Sequence, residues 1–304
     1  MHPFVENINV AASRFVRLAA AFMLSTTAFP AAAIEVMPND SVPVTPGTHA
    51  LVFYQLHNYS TSYHPVHGRT ISNDTELLSN ISIFRYAYWF EFGGKTFIAN
   101  ILQPYGEINH ASIGGNNLSR DSWQLGDPQL QLGFWPINRP DKGQYLGTSL
   151  FISPPTGHYD HDKTLNLGSN RWSASWQVNA VQRLAPKIDL EVIGDTTWFS
   201  ANDDANAFGQ ELKKDHVSTL QVWMKYNPKP LTTWAIGYQG SWGGKEYLAD
   251  VSTGTRNEFD RIRLFYSTFV SPTVQLGAEL SRDLDTVGGF KQDYGFTFRL
   301  VKLL

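Results

Sequence analysis

The sequence predicts an all-β fold of one kind, a transmembrane antiparallel β-barrel of about 12 strands with both termini in the periplasm. Three observations predict it. From Gly47 onward the chain breaks into segments that alternate in polarity, each of about ten residues, the length a tilted strand needs to cross a bilayer. The connections between them alternate between short turns and long polar stretches. The chain also ends on an alternating aromatic strand, Tyr294-Gly-Phe-Thr-Phe-Arg-Leu-Val-Lys-Leu-Leu304, whose edge is exposed to aggregation unless it closes against another strand.

The amino terminus comes first. Arg14 and Arg17 precede the apolar run Leu18 to Leu24, and Ala31-Ala32-Ala33 supplies small residues at a cleavage site. Residues 1–33 therefore read as a signal peptide, 34–46 as a periplasmic segment and 47–304 as the barrel. No later stretch approaches about 18 consecutive apolar residues, so any crossing of a membrane must be made by strands. A mean hydropathy of -0.25 suits a barrel, since only alternate residues of each strand meet lipid. The 19 Phe, 13 Tyr and 9 Trp supply the aromatic load expected at its interfaces. A net charge of -3 offers no basic field for nucleic acid, and the absence of cysteine excludes disulfides and thiolate metal sites.

Strands are expected near 48–58, 80–91, 95–105, 124–136, 143–153, 171–184, 187–199, 214–227, 231–242, 257–269, 273–283 and 291–304. Turns rich in Gly or Pro separate them at 93–94, 138–143, 185–186, 227–230 and 271–272. The intervening connections, 59–79, 106–123, 154–170, 201–213, 243–256 and the shorter 284–290, are long and polar. In a barrel with periplasmic termini these odd-numbered connections face the outside. Strand faces follow from alternation: Val274, Leu276, Ala278 and Leu280 point one way, Gln275, Gly277 and Glu279 the other. Trp234, Ile236, Tyr238 and Trp242 likewise oppose Thr233, Gly237, Gln239 and Ser241. In the last strand Tyr294, Phe296, Phe298 and Leu300 oppose Gly295, Thr297 and Arg299.

The inward faces collect both signs of charge, at Arg85, Glu91, Asp127, Arg171, Arg183, Lys187, Asp189, Glu191, Asp195, Lys225, Arg261, Arg263, Glu279 and Arg299. Such a set either pairs off to rigidify the lumen or sorts solutes by charge and size. Connection 154–170 holds His158, Tyr159, Asp160, His161 and Asp162 together and opens with Pro154-Pro155. A stretch of that length is expected to fold over or into the lumen as a constriction. Its His and Asp residues follow no defined metal-ligand spacing and no serine stands in a nucleophile motif. No cofactor, metal or catalytic residue is assigned.

Gly47-Thr-His-Ala-Leu-Val-Phe-Tyr-Gln, Gly126-Asp-Pro-Gln-Leu, Pro155-Thr-Gly-His-Tyr-Asp160 and Leu165-Asn-Leu-Gly-Ser-Asn-Arg-Trp172 resemble the outer-membrane family named for the meta-pathway of phenol degradation. The resemblance extends over nearly the whole mature chain and is strongest over 126–184. It departs at the end, where Leu304 stands in place of the Phe or Trp that closes many outer-membrane barrels. It implies a bacterial outer-membrane channel for passive uptake of small aromatic or hydrophobic compounds. The expected partners are outer-membrane lipid, those solutes and the barrel-assembly machinery, with no nucleic acid. Two rivals stand beside this reading: an outer-membrane lipid-modifying enzyme, and a plugged structural barrel without transport.

Overall fold

The computed structural model describes residues 36–304; the predicted signal peptide lies outside them. Twelve long strands form the wall: β1 (His49–His64), β2 (Glu76–Phe92), β3 (Lys95–Ile113), β4 (Gln129–Arg139), β5 (Gln144–Ser153), β6 (Ser173–Ala185), β7 (Ile188–Phe199), β8 (Val217–Lys229), β9 (Thr232–Gly243), β10 (Glu258–Ser271), β11 (Val274–Val287) and β12 (Gly289–Leu303). Each pairs antiparallel with its neighbours in sequence, and β1 pairs with β12 from Ala50↔Leu303 to His64↔Gly289, so the sheet closes without an edge. The aromatic carboxyl-terminal strand is that seam. Both ends of the wall lie together at the end that carries the short turns, with the Leu304 amide donating to the His49 carbonyl at 2.9 Å.

The polarity alternation places the faces as read. Trp234, Ile236, Tyr238 and Trp242 are exposed on the outer surface, whereas Gln239 and Ser241 are fully buried within. Around the outside, Phe84, Tyr86, Trp176, Trp198, Leu264 and Phe296 are similarly exposed, an apolar surface that only lipid satisfies. The chain is a membrane-spanning β-barrel.

Strand ends differ from expectation where the wall leaves the membrane. β1 runs on to His64, β2 starts at Glu76 and β3 reaches Ile113. Outside lipid the outer face no longer needs to be apolar, while the inner side packs on the loops, as Ile108, Ala111 and Ile113 do against Leu118 and Leu165, so the extensions lose the clean alternation. The connection expected at 284–290 is a tight turn at Gly288, whose φ of 77° suits glycine. The strand expected at 124–136 starts only at Gln129. Gln124–Leu125 is a separate piece paired with Tyr105 and Gly106 of β3, and the β3–β4 ladder runs only from Phe97 to Leu102.

The lumen is filled at the short-turn end, and the filling is a segment expected elsewhere. The stretch read as periplasmic, 34–46, is described from Val36, and it turns inside the barrel. Met37-Pro-Asn-Asp40 forms a β-turn, closed by Asp40 N–H on the Met37 carbonyl at 3.1 Å, with Asn39 at φ 76° in the position where such a turn favours Asn or Gly. Val36 and Met37 pack with Trp135, Phe151, Ile193, Trp223 and Phe265 from five strands around the wall. A barrel of eight strands is just filled by its own side chains, and diameter grows with strand number. Twelve strands leave a cross-section that this turn occupies.

Candidate functional site

The inward charges are brought together around the plug. Asp40 accepts from Arg299 at 3.0 Å and from Arg85 at 3.3 Å, which stand on β12 and β2. Lys225 and Glu191 meet at 2.7 Å, both fully buried; Glu191 also accepts the Asn39 N–H at 3.1 Å, and Lys225 donates to the Asn39 side-chain oxygen at 3.0 Å. Arg263 forks onto Glu279 at 2.8 and 2.9 Å, donates to Gln221 at 2.7 Å, and stacks its guanidinium 4.6 Å over the Trp223 ring. Gln221 in turn accepts the Val36 N–H at 3.2 Å. Every charge at this level is met by an opposite charge or a peptide group, the condition under which buried ions are tolerated.

The remaining predicted charges fall elsewhere. Arg183 and Asp189 pair at 3.2 Å beside the short turn that contains Lys187, which itself faces solvent and not the lumen. Glu91 is exposed at the short-turn end of β2. Asp195 accepts from Thr219. Arg171 is buried just before β6, where burial lowers its pKa, and Arg261 pairs with Asp283 at 2.7 Å.

Above the plug a cavity of about 390 Å³ occupies the loop-side half of the lumen. Its wall is two-sided. From β1 to β5 its apolar lining is Tyr54, Leu56, Ile81, Ile83, Ile98, Leu102, Trp135 and Phe151, with Asn58, Ser60, Arg85, Gln129, Gln131 and Ser149 between them. From β6 to β12 it is lined mainly by polar groups, Gln177, Asn179, Glu258, Arg261, Asp283, Gln292 and Thr297, with Phe259 and Phe290 as the apolar exceptions. Of the charges predicted from sequence, only Arg85, Asp127 and Arg261 reach this cavity. The apolar side was missed, although a signal was present. Ala50-Leu-Val-Phe-Tyr54 is apolar on both faces, as a strand must be when it meets lipid outside and an apolar lumen inside.

Connection 154–172 lies at the loop-side end of the cavity and lines it with residues other than those expected at a constriction. Leu165 and Leu167 line the cavity, and Leu165 is buried against Ile108, Ile113 and Leu118. The five residues expected at the constriction, His158 to Asp162, lie on the outer side and face neighbouring loops. His158 contacts Asp121 at 3.1 Å, His161 contacts Asp204 at 3.0 Å, and the Tyr159 hydroxyl donates to the Asp204 carbonyl at 3.1 Å. The physical reason is partition: two leucines within a polar connection take the dry side of the lid and its charges take the wet side. Asp127, expected on a strand face, is the anchor. It accepts the N–H groups of Gly157 and Ser169, both at 2.8 Å, and the Ser169 hydroxyl at 2.6 Å. Gly157 is required there, because a Cβ would lie 2.6 Å from the Asp127 nitrogen.

Electrostatics at the lid follow its pairs. The hydrogen bond to Asp204 raises the His161 pKa above its ordinary value. Burial works to raise the Asp121 carboxyl, but hydrogen bonds from His158 and Lys163 outweigh it and hold the group below the usual carboxylate range. Burial pushes the Tyr159 hydroxyl up. Among the described residues no group of three His, Asp or Glu side chains converges as a metal site.

Comparison with known proteins places this geometry. An outer membrane channel from Pseudomonas putida F1, seen in a crystal structure, superposes with a TM-score of 0.84 at 29% sequence identity, covering 89% of this chain and 100% of that one. The β domain of a Bordetella autotransporter superposes with a TM-score of 0.52 at 10% identity, covering 84% and 98%, and shares the fold alone. A search of curated proteins finds no match. The model of the family described as "Putative MetA-pathway of phenol degradation" matches residues 62–300, nearly the whole barrel, and the chain belongs to that family.

Proposed function

We propose that this protein is a channel for passive uptake of small aromatic or hydrophobic compounds across the outer membrane. The observation that carries this reading is the apolar side of the cavity, which continues from Ile98 and Phe151 up to Leu165 and Leu167 in the lid. An aqueous pore for polar nutrients gains nothing from such a wall, whereas a hydrophobic solute gains its transfer free energy there. The Pseudomonas relative, a channel by its description, and the family's link to phenol degradation support the same reading. Entry is through the loop end, taken to face outside, with the termini in the periplasm, where the barrel-assembly machinery receives the unfolded chain. A protease site at Asn116 is then cut on intact cells and one at Asp141 is not.

Transport, and not catalysis, is the reading for the enzyme rival. Ser62 Oγ lies 3.1 Å from His64 Nε2, but on the extension of β1 beyond the lipid-facing surface, away from any acyl chain. Against the plugged-barrel rival, the cavity that the turn at 36–42 leaves unfilled supports a channel. Single-channel recording in planar bilayers tests the proposal. The purified protein is expected to conduct weakly and to be blocked in a concentration-dependent manner by aromatic solutes. A current that is indifferent to aromatics would overturn it.

A further inference from the structure

The cavity has a second property that its apolar side does not explain. Apart from Asp127, each of its charged lining residues has an opposite charge beside it: Arg85 with Asp40 at 3.3 Å, Arg261 with Asp283 at 2.7 Å, Arg256 with Glu258 at 3.2 Å and Lys214 with Glu246 at 3.3 Å, although Arg85 Nε and Glu246 Oε2 themselves have no hydrogen-bond partner. Asp127 is taken by the lid. An ion entering this space loses its hydration and meets no free counter-charge.

Two uncharged side chains have no ion pair and carry an unpartnered atom each. Gln177 and Asn179, successive inward residues of β6, line the cavity and are 3% and 5% exposed. Gln177 Nε2 and Asn179 Oδ1 have no hydrogen-bond partner. Next to Gln177 across the β6–β7 ladder, Asp195 uses one oxygen for Thr219 and leaves Oδ1 unpartnered. Unengaged buried polar atoms are costly and mark places where a ligand group gains most by pairing. Phe151 and Trp135 stand beside them on the apolar side. Gly147 lets the Asn179 amide and the Trp135 indole lie side by side over it, since a Cβ there would lie 2.6 Å from Asn179 Oδ1 and 3.0 Å from Trp135 Nε1.

Resting on the uptake reading above, we infer that Gln177 and Asn179 form a subsite for a neutral hydrogen-bonding group on a ring compound, and that the channel prefers neutral hydroxyl- or amide-bearing aromatics to their carboxylate counterparts. A hydroxyl or a carboxamide both donates and accepts, so it pairs with either end of each side-chain amide. A carboxylate only accepts, so it offers no donor to Asn179 Oδ1, and it approaches the carboxylates Glu258 and Asp283 already paired in the wall.

Benzamide and benzoate are close in shape and differ in charge at neutral pH, and block of single-channel current by each tests the inference on the full-length protein. Benzamide is expected to block at about tenfold lower concentration than benzoate, the ratio that one further hydrogen bond supplies. Gln177→Met and Asn179→Leu, each checked for folding by resistance to detergent unfolding, are expected to abolish that preference and leave benzoate block unchanged. If one variant does not fold, the other carries the test. Equal or stronger block by benzoate overturns the inference, as does an undiminished preference in a folded variant, and both leave aromatic uptake standing. Absence of block by either compound overturns the uptake reading and this inference with it.

Discussion

The two halves of the barrel wall are built from the same strand geometry and do different things. From β1 to β5 the inward residues include Val52, Tyr54, Leu56, Ile83, Ile98 and Phe151, with Arg85, Gln131 and Ser149 among them; from β7 to β12 they include Glu191, Lys225, Arg263, Glu279 and Arg299. The apolar arc leaves the cavity open and gives it a hydrophobic side. The charged arc is closed upon itself and upon the turn at 36–42, so its charges hold a shape and do not attract ions. A lumen lined with charge is therefore not by itself a conduit for charge; what matters is whether each charge already has its partner.

The comparison breaks most severely in the charged arc. Glu279→Ala leaves Arg263 buried without its carboxylate and is expected to cost about 3–5 kcal/mol, while the double replacement Arg263→Met with Glu279→Leu costs far less. Urea unfolding from lipid vesicles measures both, and equal losses would show that the pair is not coupled. In the apolar arc the expected effect is on passage, not on folding. Leu56→Gln and Ile83→Asn each remove about 1.5 kcal/mol of apolar contact and are expected to weaken block by an aromatic solute about tenfold, whereas Thr297→Val on the opposite side leaves it unchanged.

The smallest effect lies outside both arcs, in the lid. Its His161 is charged more readily in the folded loop than free, so the contact with Asp204 is fully present below the ordinary value of 6.5 and is lost as pH rises through the raised one. Asp121, held low by His158 and Lys163, contributes in the opposite sense, from its ordinary 3.8 upward, and is lost as pH falls through its lowered value. Between these limits both sides of the lid are latched. Hydrogen exchange over 156–164, corrected for intrinsic rate, is expected to quicken modestly as pH rises past the His161 transition; no change in protection would remove that latch.

The wall was legible in the sequence because lipid on one side and a polar lumen on the other write a period of two, as in Thr232 to Trp242. The charged arc was legible for the same reason, and Arg263, Glu279, Lys225 and Glu191 are all inward. What could not be read is pairing across space. Asp40 meets Arg85 and Arg299, respectively 45 and 259 residues away, and Met37-Pro-Asn-Asp40 has no periodicity to reveal that it turns inward. The side of connection 154–172 that meets the cavity could not be read, since a connection without regular structure gives no rule for which side chains point in. The apolar arc left a trace in Ala50 to Tyr54, where lipid-facing and lumen-facing residues are equally apolar.

Localising a solute inside the barrel tests the account most directly. Crystals soaked in 4-bromotoluene, with the bromine found by anomalous scattering, are expected to show it beneath Leu165 and Leu167 and against Ile98 and Phe151. Bromine found only on the outer aromatic surface, or against Arg261 and Asp283, would contradict the apolar arc as the route.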